Sequence, residues 1–168
     1  ALSDHRRGPR PLRTTAHVWG IPTARPTEAT QTMLANALYR STLVLATTAL
    51  AVGASAIIEH PAPATWEPRC PSSWHLPETR WLSAMEGAEL HLIDQICWGA
   101  ISQKPTGLLA VHLPELGSGI ARAPGGSRSN HQGRPPSLGV NDDGSFRTVP
   151  LKTYPPALCQ LFADALEQ

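Results

Sequence analysis

Between Arg40 and Glu59 the chain runs from Ser41 to Ile58 without one charged residue. In water an uncharged stretch of this length has few outlets. It spans a membrane, or it divides into a buried helix and a buried strand. Ser41, Thr42, Thr47, Thr48, Gly53, Ser55 and many alanines keep its hydropathy per residue low. A span is therefore the weaker reading and membrane association is not expected. The alternative that survives is a small membrane-associated protein anchored by residues 41–58.

The flanks favour helix then strand. Thr27 is placed to cap a helix and Glu28 suits its first turn. Leu34, Leu38, Leu45, Ala49 and Val52 recur at helical spacing on one stripe, and Gly53 is a natural stop. The expectation is a long helix over 27–53 that buries this stripe. Ala54 to Ile58 is short, apolar and partly β-branched, which reads as a buried parallel strand. Glu59-His60-Pro61 then lies at its carboxyl end, where ligands of open α/β sheets bind.

Further on, residues 61–77 read as a proline-rich loop holding Trp66 and Trp74, followed by a short helix near 78–86 that stops at Gly87. Residues 89–94 alternate as a strand. Trp98-Gly99 makes a turn, and 107–113 reads as another strand. Val140 to Phe146 is a turn signal, which suits a hairpin. Pro155-Pro156 opens a last helix with Leu158, Leu161, Phe162, Ala165 and Leu166 on one face. The fold class expected is α/β: a partial Rossmann-like sheet of the S-adenosylmethionine-dependent methyltransferase type, with flanking helices and long Pro/Gly-rich loops. The boundaries are a basic arm over 1–26, a half-domain over 27–116, a flexible loop over 117–137, and a hairpin with a helix over 138–168.

The chain has 168 residues, enough for one core, and its 17 prolines and 13 glycines imply long irregular stretches. Its net charge of +1 makes no global case for nucleic acid or membrane. The distribution is more informative. Arg6, Arg7, Arg10 and Arg13 face only Asp4 in the first thirteen residues, and residues 116–141 hold Arg122, Arg128 and Arg134 with no acid. Both stretches can meet phosphate, although such runs are more often solvated loops. Cys70, Cys97 and Cys159 are odd in number and widely spaced, which favours a reducing compartment over a disulfide scaffold. The histidines and cysteines have no metal-site spacing. The opening at Ala1 is what a processed or partial product would show.

Glu59 is the first candidate for chemistry. Burial at a strand end would raise its pKa and let it donate or accept a proton, while the commoner role is to cap a helix or pair with an arginine. Strand alternation sends His60 to the opposite face, so the two do not form a dyad. Gln103, Lys104 and Thr106 place an amide, a cation and a hydroxyl on one short segment, a workable set for a phosphate or a base edge. The loop tryptophans can stack on bases, but more often such residues anchor loops to a core. There is no Walker loop, no GxGxxG and no GxSxG elbow. Gly117-Ser118-Gly119 lacks a third glycine.

Several pieces occur in a characteristic order: Pro11-Leu12-Arg13, Trp19-Gly20-Ile21-Pro22, Ala35-Asn36-Ala37-Leu38, Ala56-Ile57-Ile58-Glu59-His60-Pro61, Asp94-Gln95-Ile96-Cys97-Trp98-Gly99 and Lys104-Pro105-Thr106. Over about residues 10–113 this resembles the downstream half of DNA-methyltransferase-like domains of mobile-element polyproteins in some single-celled eukaryotes. The stretch from Leu151 to Cys159 resembles the segment that closes them. The order is also similar to that of cytosine-5 DNA methyltransferases. The resemblance implies that Glu59 stands for the glutamate that holds a flipped cytosine. It places Trp98 and Gln103 in the frame of the target-recognition loop, with Lys104 as one cation. His60-Pro61 stands where that family has Asn-Val, and Pro105 and Gly107 stand where it has two arginines.

The parent family uses S-adenosylmethionine, held by an upstream glycine-rich loop, and a thiolate from an upstream Pro-Cys loop. Neither motif is in this sequence, and the three cysteines all follow the place of that nucleophile. The expectation is a fragment that binds no cofactor and catalyses nothing alone. Glu59 would orient the base, and Gln103, Lys104, Thr106 and Trp98 would contact the target. DNA and a front half or other subunit are the expected partners, in a reducing intracellular compartment that the resemblance makes nuclear. The alternative is a non-enzymatic nucleic-acid-binding or structural subunit.

Overall fold

The structure, a computed structural model, describes residues 11–63, 71–123 and 153–167. Helix α1 runs over Pro26–Val52. It starts at Pro26 rather than after a Thr27 cap, because proline presets the first helical φ and the Glu28 carboxylate accepts the Arg25 backbone N–H at 2.8 Å. Gly53 ends it at φ 72°, a left-handed conformation that glycine adopts without penalty. The uncharged run is thus divided at Gly53 between α1 and the strand β1, Ala56–Pro61. No described helix is long and apolar enough to cross a membrane.

A 3-10 turn at Ser73–His75 leads into α2, Pro77–Ser83. Strand β2, Ala88–Asp94, is followed by a second 3-10 turn at Gln95–Trp98 and by β3, Pro105–Val111. Helix α3 covers Pro114–Arg122 and α4 covers Pro156–Leu166. The three strands form one sheet in the order β1-β3-β2, and β3 pairs antiparallel with both neighbours. The protein is therefore mixed α/β with a small antiparallel sheet. The expected parallel pairing of β1 is corrected here, since its described partner is the antiparallel β3.

The reversal between β2 and β3 has a local cause. Residues 95–104 are too few for a parallel crossover, which needs about a dozen or more. The Asp94 carboxylate accepts the backbone N–H groups of Ile96 at 3.2 Å and Lys104 at 2.8 Å, tying both ends of the connection together. Gly99, at φ 99°, makes the turn.

Both faces of the sheet are covered. Ile58, Leu109 and Val111 pack under Leu43 and Ala46 of α1 and Leu82 of α2, with Trp74 among them. Ile93, Leu108 and Ala110 pack against Leu116 and Ile120 of α3 and Leu158 and Ala165 of α4. Strand β3 is buried on both faces, so it reads as a nearly continuous apolar run. Each fully enclosed leucine there contributes roughly 1.5–3 kcal/mol relative to exposure.

Two expectations about helix faces are corrected. The residues α1 buries are Thr32, Leu43 and Ala46, whereas Leu34, Leu38, Leu45 and Val52 of the expected stripe are 61%, 62%, 70% and 71% exposed. The helix is apolar on more than one side, so periodicity did not single out the face that meets the sheet. Residues 117–122, expected in a flexible loop, are helical because Pro114 and Glu115 start α3 and Leu116 and Ile120 anchor it in the core. Residues 124–137 of that loop, the turn at 140–146, the arm before Pro11, Trp66 and Cys70 lie outside the described residues.

Candidate functional site

Strand alternation splits Glu59 and His60 as expected, and each belongs to a different polar cluster. His60 lies on the side of α1. Its Nδ1 is 2.9 Å from the Ser73 hydroxyl, and its ring is met edge-on by Tyr39 at 5.8 Å and Trp74 at 6.1 Å between centroids. Trp74 is held in turn by an indole N–H donated to the Pro61 carbonyl at 2.9 Å. Tyr39 shares a 2.8 Å hydroxyl–hydroxyl bond with the buried Thr79 of α2. Burial pushes the His60 pKa below its ordinary value. A hydrogen bond with the Pro61 backbone and the nearby Glu59 charge oppose the shift, and the Arg13 charge adds to it. The ring is therefore neutral near pH 7.

This cluster forms the wall of a cavity of about 480 Å³ that also takes in Arg13, Trp19 and Ser72. The segment before α1 closes it from above. An Arg13 Nη2 donates to Asn36 Oδ1 at 2.5 Å, and Asn36 Nδ2 donates to the Trp19 carbonyl at 2.6 Å. The Arg40 guanidinium lies 4.4 Å from the centre of the Trp19 ring and fixes its orientation. Aromatic walls, a cation and a few hydroxyls at this volume suit a small planar ligand.

Glu59 lies on the other face, toward α4. Its carboxylate accepts the Tyr154 hydroxyl, and Lys104 Nζ sits 5.0 Å from the centre of the Tyr154 ring. Burial first, then the Glu59 charge and hydrogen bond, then Cys159, push the Tyr154 pKa up to about 12. Glu59 of β1 and Lys104, just before the neighbouring β3, thus meet at one phenol.

The remaining sequence candidates occupy different settings. Thr106 is not a loop residue. It lies inside β3, fully buried, where its Oγ1 accepts from the Gln95 side chain at 3.0 Å and donates to the Lys104 carbonyl at 3.0 Å. Trp98 packs against the α3/α4 core, and its enclosed indole N–H meets no acceptor among the described residues. Gln103 is half-buried on the connection before β3. Sequence reasoning did not find Tyr39, Ser73 or Tyr154, whose partners lie tens of residues away along the chain.

The glycines of 117–119 do not form a loop for S-adenosylmethionine. They lie within α3, where a Cβ on Gly117 would meet the His91 ring and one on Gly119 would meet Leu161. No group of three His, Cys, Asp or Glu among the described residues could hold a metal ion. Comparison with family models, with curated proteins and with solved structures gives no match.

Proposed function

We propose that this chain is a ligand-binding half of a methyltransferase-like domain, non-catalytic by itself, whose cavity beside β1 takes a nucleobase ring. The observation that carries this reading is the cavity wall of Trp19, Tyr39 and His60 with Arg13 at its rim. Aromatic rings are the side chains on which bases stack, and a guanidinium can meet a phosphate or a carbonyl edge.

The finer reading, a methyltransferase-like half-domain, rests on the order of the sequence motifs over about residues 10–113. The parent chemistry would be methyl transfer to a base in DNA. Glu59 also lines this cavity, and its carboxylate is shared with the Tyr154 hydroxyl.

We read the Ser73–His60 pair as a positioning contact. The imidazole uses Nδ1 toward the hydroxyl and is fixed by rings on two sides, so the pair positions the cavity wall.

Isothermal titration with nucleoside monophosphates and short single-stranded DNA tests the reading. Binding is expected, and Trp19→Ala should weaken it by about 1–3 kcal/mol, the usual cost of losing one stacking ring. A labelled-cofactor methylation assay should show no turnover. Absence of any nucleotide binding, or turnover that depends on Glu59, would overturn the proposal.

A further inference from the structure

The solvent face of α1 has a repeat of its own. Leu34, Leu38, Ser41, Leu45, Thr48 and Val52 follow one another at alternating spacings of four and three, the heptad spacing of a two-helix seam. These residues lie opposite the side that packs on the sheet, where Leu43 and Ala46 are buried. Met33 and Val44 widen the face and are 71% and 64% exposed. The only charged residues in the whole helix are Glu28 and Arg40, and Arg40 is engaged on Trp19. Nothing on the seam would have to give up a charge to be covered.

We infer that this face binds a second copy of the chain, α1 against α1, in an antiparallel two-fold pair. The sequence of the seam is self-complementary about residue 43. In that register Leu34 meets Val52, Leu38 meets Thr48 and Ser41 meets Leu45, so each small polar residue faces a large apolar one. A parallel pair would set Ser41 on Ser41 and Thr48 on Thr48, leaving two gaps in the seam. A two-fold interface uses the same patch on both copies, which this symmetry provides.

The exposed apolar area is comparable with that of a stable interface. Met33, Leu34, Leu38, Val44, Leu45 and Val52 together present on the order of 700 Å² per copy, against about 800 Å² per partner in a standard stable interface. A lipid surface is the poorer occupant, because membrane-lying helices carry several Lys or Arg on their polar face and α1 has one arginine.

Sedimentation velocity of the full chain at micromolar concentration tests the inference. The expected species has twice the 18.0 kDa mass of the chain. Leu45→Glu should raise the dimer dissociation constant by about 100-fold or more by burying an unpaired charge at the seam. Its circular dichroism should match the parent, since Leu45 is 70% exposed. In a background with Cys70, Cys97 and Cys159 replaced by serine, oxidised Leu34→Cys/Val52→Cys should give an intermolecular 34–52 cross-link by peptide mass spectrometry. A monomer, cross-links of 34–34 and 52–52 only, a dimer indifferent to Leu45→Glu, or recovery of the chain on neutral phosphatidylcholine vesicles as a monomer would each overturn it. Leu38 of the seam also lines the cavity, but Leu34, Leu45 and Val52, the positions substituted here, do not, so these variants leave the nucleotide site itself unaltered.

Discussion

The Tyr154 hydroxyl is bonded to the Glu59 carboxylate, joining a residue two positions before α4 to the fourth position of β1 on the α3/α4 face of the sheet. A carboxylate that sequence position alone offers to a ligand is occupied within the fold by a phenol. The Lys104 ammonium on the same ring extends the cluster to the start of β3.

This relationship sets an alkaline limit. The fold raises the Tyr154 pKa from 10.0 to about 12, so it favours the neutral phenol. The stability this contributes is complete below pH 10.0 and is lost as the pH climbs through about 12. Tyrosinate absorbance in a Tyr39→Phe background isolates this titration, since the chain has two tyrosines. Glu59→Gln should move the midpoint part of the way down, because burial, the larger cause, remains.

An acid limit follows from His60. Its folded pKa is depressed below 6.5 by burial, so folding favours the neutral ring. The associated stability is present above pH 6.5 and declines as the pH falls through the lowered folded value. Histidine ring NMR should show one resonance that titrates below the others. Thermal melts of His60→Asn should depend less steeply on pH in the acid range than those of the parent.

Two glycines should respond differently to alanine. A Cβ on Gly107 would lie 2.5 Å from the Trp74 ring, which is 3% exposed and tethered to Pro61. Gly107→Ala should cost about 1–3 kcal/mol in denaturant unfolding, as overpacking does. At Gly119 the obstacle is the flexible end of Leu161, and a helical Gly→Ala change gains roughly 0.5–1 kcal/mol, so Gly119→Ala should be close to neutral.

Thr106 should behave as a structural residue. Thr106→Val keeps the shape but leaves the buried Gln95 amide without its acceptor, at a cost of about 1–3 kcal/mol. Nucleotide affinity measured on the folded fraction should not change. A selective loss of binding without loss of stability would return Thr106 to the ligand site.

The elements were readable because their signals are local. Gly53 ends α1, Gly99 turns the chain after Trp98, and alternation places Glu59 and His60 on opposite faces. Strand direction was not readable from residues 54–58, because pairing depends on the connection at 95–104 and on Asp94 clamping it. The buried side of α1 was misassigned because Leu34, Leu38 and Leu45 are as apolar as the residues that meet the sheet, and periodicity cannot rank two apolar faces. The cavity was only partly visible. His60 stood out by its place on β1, whereas Tyr39 and Ser73 join it through a packing of α1, β1 and α2 that no local pattern encodes.

The central place of β3 also bears on how the chain reaches this state. Its pairing with β2 closes a short connection, Asp94 to Pro105, whereas its pairing with β1 joins Ala56 to Val111. Loop-closure entropy rises with the length enclosed, so the β2–β3 ribbon can form early while β1 must wait for a strand that is synthesised later. Until β3 arrives, β1 and the inner face of α1 have no described sheet neighbour to cover them. A nascent chain stalled before residue 105 would expose those apolar surfaces together, which is the kind of exposure that favours aggregation.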